Sequence, residues 1–158
     1  MFTIPQADSD PSVLRSSILQ TVDNVTHGET DLIANCANVA SVLYHMLADV
    51  NWAGFYLYKQ DELVLGPFHG KPACIRIALG RGVCGTAARQ RRTVVVPDVE
   101  AFPGHIACDS ASRSEVVVPM LRDGVLIGVL DVDSPVPDRF STDDVALLES
   151  IACLIMSR

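Results

Sequence analysis

NWAGFYLYKQDELVLGPF, residues 51–68, reads as a strand, a polar turn and a second strand. Strands joined by so short a turn run antiparallel, because a parallel pair needs a crossover of about a dozen residues or more. Trp52 and Tyr56 share one face of the first strand by period-two alternation, as core or as the wall of a binding pocket. The pattern returns downstream, where SEVVVP (114–119) and VLIGVLDVDS (125–134) form a second hairpin around Arg122-Asp123-Gly124. Between the hairpins, CIRIAL (74–79) is a strand, VCGTAARQR (83–91) a short helix and RTVVVPDV (92–99) a further strand. Asp98 to Ser112 is a long irregular loop of the kind compact domains keep for sites or lids.

Helices flank this β-rich middle. After a loose arm at 1–10, Asp10-Pro11 supplies a cap and a first helical position, and the helix runs to about Val25. A second helix, about Thr30 to Ala48, carries the apolar stripe Leu32, Cys36, Val39, Leu43 and Met46. Ser141 caps a closing helix with Val145, Leu148, Ile151, Ala152 and Ile155 on one face. The expectation is one α+β domain over 1–158, with N-terminal helices at about 11–48, sheet and site loops at 51–133 and the last helix at 141–156.

A chain of 158 residues with 49% hydrophobic content buries a core without staples. A net charge of −7 with scattered Lys and Arg argues against a phosphate-binding surface and hence against nucleic acid. MFTIPQADSDPS lacks the pattern of a signal peptide, and no apolar run approaches a membrane span, so a cytoplasmic protein is expected. In a reducing compartment, five cysteines point away from a disulfide framework.

Three of those thiols draw attention. Cys74 and Cys84 lie in PACIRIALGRGVCG (72–85), and Cys108 lies in FPGHIACDSASRSEVVVP (102–119), settings rich in Gly, Pro, Ser and Asp. Cys36 reads as a small core hydrophobe, and Cys153 falls off the last helix's stripe without a role. His69, Cys74, Cys84, His105 and Cys108 do not have the spacing of a zinc site, so no metal is expected and redox chemistry is favoured. Gly80, Gly82 and Gly85, with Asp98 beyond, outline a dinucleotide fingerprint, but the helix is too short and the neighbouring strands form hairpins. Asp131 and Asp133 project from one strand face, and Glu115 comes from the strand paired with it, unless these acids merely cap solvated strand ends. Crowded together, they either bind a cation or hold a proton on one carboxyl. An ammonium group would neutralise two, and a protonated third could donate to a developing oxyanion.

PACIRIALGRGVCGTA (72–87), DVEAFPGHIACDSASRSEVVVP (98–119) and GVLIGVLDVDSP (124–135) together resemble the free methionine-(R)-sulfoxide reductases, a family built on a GAF domain. The resemblance implies a central antiparallel sheet of about five to six strands, with the N- and C-terminal helices on one face. It also implies reduction of free methionine R-sulfoxide, with Cys108 as the attacking thiol, Cys74 as the resolving thiol and Cys84 in a secondary role. Trp52, Tyr56, Glu115, Asp131 and Asp133 match the family's substrate-pocket positions. By the same resemblance, a Cys74–Cys108 disulfide is recycled by thioredoxin without a bound cofactor, and the protein is a homodimer. His105, Arg113 and backbone amides are candidates for keeping Cys108 ionised. The rival reading is a non-catalytic GAF module that senses a cyclic nucleotide or another small molecule.

Overall fold

The computed structural model describes residues 10–104 and 109–158. Helix α1 (Pro11–Thr26) starts where the Asp10 carboxylate accepts the Ser12 amide at 2.8 Å. Helix α2 (Leu32–Met46) has the bounds of its apolar stripe and is shorter than the expected span of about Thr30 to Ala48. Asp31 stays extended so that its carboxylate can cap the Ala34 amide at 2.8 Å, and Leu47 is already extended beyond the other end.

Strands β1 (Trp52–Lys59) and β2 (Glu62–Gly70) form the first hairpin, with Gln60 and Asp61 at φ 52° and 64°, the sign both central residues of a type I′ turn require. Then come β3 (Arg76–Ala78), α3 (Gly82–Gln90), β4 (Val94–Val96) and a 3₁₀ turn (Val99–Ala101). Strands β5 (Ser114–Arg122) and β6 (Val125–Ser134) meet through Asp123 and Gly124, again both at positive φ. Helix α4 (Thr142–Met156) opens on a reciprocal capping box between Ser141 and Asp144. The sheet has six antiparallel strands in the order β3-β2-β1-β6-β5-β4, in agreement with the expected α+β architecture. Among the described residues, no helix is long and apolar enough to cross a membrane.

Strand alternation gives the sheet two unlike faces. One carries Phe55, Leu57, Val116, Val118, Met120, Leu130 and Val132, and α1, α2 and α4 pack on it to make the larger core. There Cys36 is fully buried and its thiol is pushed up to about 12 by burial, the mark of an inert core residue. The other face carries Trp52, Tyr56, Val117 and Val129 under the short helix α3. This second face holds the acids.

Candidate active site

Register builds the acid cluster. In β5–β6 pairing Glu115 faces Asp133 and Val117 faces Asp131, while β1 sets Trp52 opposite Asp133. Paired residues and residues two apart share a face, so Glu115, Asp131, Asp133, Trp52 and Tyr56 all lie on the α3 side of the sheet. The three acids are 5%, 6% and 6% exposed, which rules out solvated strand ends. Burial, then neighbouring carboxylate charge, pushes all three well above the ordinary carboxylate range. Full ionisation of the cluster is therefore disfavoured.

Cys84 is a residue of helix α3, within the short helix read at 83–91, and is buried against the acids. Its Sγ donates to Asp131 Oδ2 at 3.2 Å and lies 3.9 Å from Glu115 Oε1. Burial, then the Asp131 and Glu115 charges, pushes the thiol well above its usual value, so it stays protonated. Gly85 explains how α3 comes so close: a Cβ there would stand 2.4 Å from the Ala78 carbonyl oxygen and 3.1 Å from the Gly80 amide nitrogen. The third glycine of the apparent dinucleotide fingerprint thus serves helix-to-strand packing that seats Cys84.

The aromatics form one wall. Trp52 stacks on Phe68 and Tyr56 with ring centroids 5.3 and 6.0 Å apart, and its indole N–H donates to the Lys71 carbonyl at 3.1 Å. The Tyr56 hydroxyl donates to the Cys74 carbonyl at 3.0 Å and so ties the half-buried Cys74 segment to the same face. His69 points to the opposite, helical face with its β1 partner Ala53 and stacks on His45 at 4.8 Å, away from Cys84. Arg113 engages Asp98 and Glu100 at 3.5 and 3.9 Å. Cys108 and His105 lie outside the described residues.

Sequence reasoning missed the anchor that follows Cys108. The buried Asp109 carboxylate accepts the Ala111 amide at 2.9 Å, the Lys71 ammonium at 3.1 Å and the Asn51 amide at 3.3 Å. These donors, led by the Ala111 amide, hold it below the ordinary carboxylate range. Asn51 also donates to Ser112 Oγ at 3.1 Å, and its backbone amide donates to the Asp133 carbonyl at 3.1 Å. Asp109 is near enough to raise Asp133 by its charge, so the residue after Cys108 adjoins the acid cluster. The run Asp109-Ser110-Ala111-Ser112 carries the one available signal, an acid placed to bond the backbone amide two residues on. The partners Asn51 and Lys71 are distant in sequence and gave none.

Three buried acids, an aromatic wall and the Cys84 thiol thus share one face of the sheet. The GAF domain model matches residues 31–158. The chain is 55% identical over 117 residues to the free methionine-R-sulfoxide reductase of Escherichia coli, covering 74% of this chain and 71% of that protein. It is 42% identical over 146 residues to the Saccharomyces cerevisiae protein of the same name, covering 87% and 81%. The free methionine-R-sulfoxide reductase of Neisseria meningitidis, solved with its substrate, superposes with a TM-score of 0.94 at 46% identity, covering 99% of this chain and 95% of that one. By these matches the chain is a GAF domain protein belonging to the free methionine-R-sulfoxide reductase family.

Proposed function

We propose that the chain reduces free methionine R-sulfoxide to methionine, with the acid cluster under α3 holding the substrate ammonium. The observation that carries this reading is the burial of Glu115, Asp131 and Asp133 together beside Trp52, since acids so crowded call for a cationic ligand or retained protons. A peptide-bound methionine offers no ammonium at that point, which accounts for a preference for the free amino acid. Backbone amides near Cys108 hold the carboxylate, and the Trp52 wall packs the S-methyl group.

The Cys108 thiolate attacks the sulfoxide sulfur while a protonated carboxyl, from Asp131, Glu115 or Asp133, gives its proton to the sulfoxide oxygen. The oxygen passes to Cys108 as a sulfenic acid, and two electrons pass to the substrate, which leaves as methionine. Cys74 then attacks the sulfenic sulfur and expels water to leave a Cys74–Cys108 disulfide. A thioredoxin dithiol reduces that disulfide and carries the electrons in, with no resident cofactor. Cys84, held as a neutral thiol by the acids, is the reserve sulfur.

Purified protein with thioredoxin, its reductase and NADPH should consume NADPH when given free methionine R-sulfoxide, and Cys108→Ser should abolish this. Consumption unchanged by Cys108→Ser overturns the nucleophile assignment, and no consumption by the wild type overturns the function. On a Cys84→Ser background, which removes the reserve sulfur, Cys74→Ser should still form one equivalent of methionine without turnover; full steady-state turnover overturns its role as resolver.

A further inference from the structure

Cys84 Sγ, a Glu115 carboxylate oxygen and an Asp131 carboxylate oxygen lie within 4.8 Å of one another, and all three residues are buried. In four-coordinate zinc, Zn–S of about 2.3 Å and Zn–O of about 2.1 Å at the tetrahedral angle separate the two donors by about 3.6 Å. Cys84 Sγ stands 3.2 Å from Asp131 Oδ2 and 3.9 Å from Glu115 Oε1, on either side of that length. A thiol–carboxylate hydrogen bond accounts for the first distance alone. A side-chain hydrogen bond between Glu115 and Asp131 brings the second carboxylate to the same sulfur, and Asp131 Oδ1 is left buried without a hydrogen-bond partner among the described residues. The donors come from α3, β5 and β6, so sheet pairing and helix packing fix their separation.

We propose that Cys84, Glu115 and Asp131 bind a thiophilic divalent cation, Zn2+ foremost, which fills the ammonium pocket and reversibly inhibits the protein. The inhibitory half rests on the function proposed above, whereas the binding half stands on the donor geometry alone. The thiolate sets the preference, because Mg2+ and Ca2+ favour all-oxygen shells while Zn2+ accepts sulfur beside carboxylate. Binding releases the ligands' protons to solvent and supplies the positive charge that relieves their mutual repulsion. Water completes the fourth position.

The test is a Co2+ titration of the reduced chain carrying Cys74→Ser, Cys108→Ser and Cys153→Ser, which leaves Cys84 as its only thiol besides the core-buried Cys36. One Co2+ per chain should bind with a sulfur-to-cobalt charge-transfer band and tetrahedral d–d absorption, and Zn2+ should displace it. Adding Cys84→Ser should remove the charge-transfer band. Adding Asp131→Asn instead should keep the band but weaken binding at least about tenfold, with circular dichroism confirming the fold of each variant. No band in the parent, a band that survives Cys84→Ser, or affinity unchanged by Asp131→Asn overturns the site. In single-turnover reduction by the pre-reduced wild type, without added thiol, Zn2+ should slow methionine formation, and excess substrate should restore it. Tight cobalt binding with unaffected turnover overturns the inhibitory half. A wild type with no turnover at all refutes the proposed function and leaves the cobalt result intact.

Discussion

Replacing Asp131 with asparagine should make this protein more stable at pH 8 and worse at its reaction. Oxygens of Glu115 and Asp131 lie within 4.8 Å, and two full charges at that distance repel by about 3.5 kcal/mol at an effective dielectric of about 20. Burial and this repulsion raise the folded-state pKa values of Glu115, Asp131 and Asp133 above those of the unfolded chain. The folded chain thus keeps protons that the unfolded chain has already lost. The contribution of these three groups to stability is greatest below the unfolded carboxylate range, about pH 4, and falls as pH climbs through the folded values, by up to about 1.4 kcal/mol per pH unit for each proton retained. His69 shifts the opposite way, lowered by burial and by His45, but it is present in both proteins and cancels in their difference. Urea unfolding between pH 5 and 8, followed by the fluorescence of the sole tryptophan, Trp52, gives both slopes. Asp131→Asn should decline less steeply than wild type and exceed its stability by about 1–3 kcal/mol at pH 8, with turnover on free methionine R-sulfoxide strongly reduced. Equal slopes, or a variant less stable at pH 8, would show that the acids are ionised and well partnered, and the electrostatic account of the site would fail.

Asp109→Ala removes the acceptor of the Ala111, Lys71 and Asn51 hydrogen bonds, so the segment after Cys108 loses its anchor. Turnover should fall more than global stability does, read as kcat and KM against a urea midpoint. In the wild type, the anchor's contribution is present above the unfolded Asp pKa and is lost as pH falls through the depressed folded value, which acid-range amide exchange at Ala111 would register. Gly128→Ala puts a Cβ 2.3 Å from the Tyr56 carbonyl oxygen, at the last pair of the β1–β6 register. It should destabilise by about 1–3 kcal/mol or more, and an unchanged urea midpoint would contradict the packing of those strands. Trp52→Ala empties a fully buried site stacked on Phe68 and Tyr56 and should cost about 3–5 kcal/mol while raising KM.

Local chemistry made much of the molecule legible from its sequence. Period-two and helical patterning, Asp10-Pro11, the Ser141 cap and the Asp123-Gly124 turn each depend on near neighbours, so the hairpins, the flanking helices and the α+β class follow without coordinates. The shared face of Asp131 and Asp133 follows from strand alternation, but the closeness of Glu115 depends on a bulge at Met120/Leu121, because the register set by the turn alone would pair Glu115 with Val132 and turn it to the other face. Tertiary packing alone settled three other matters. Cys84 joins the acids only because Gly85 lets α3 rest on the Ala78 carbonyl, a contact between segments whose meeting no periodicity encodes. The Asp109 anchor draws on Asn51 and Lys71, 58 and 38 residues away. The upward shift of the three acids depends on burial under a helix, because the same carboxylates in water would sit near their ordinary values.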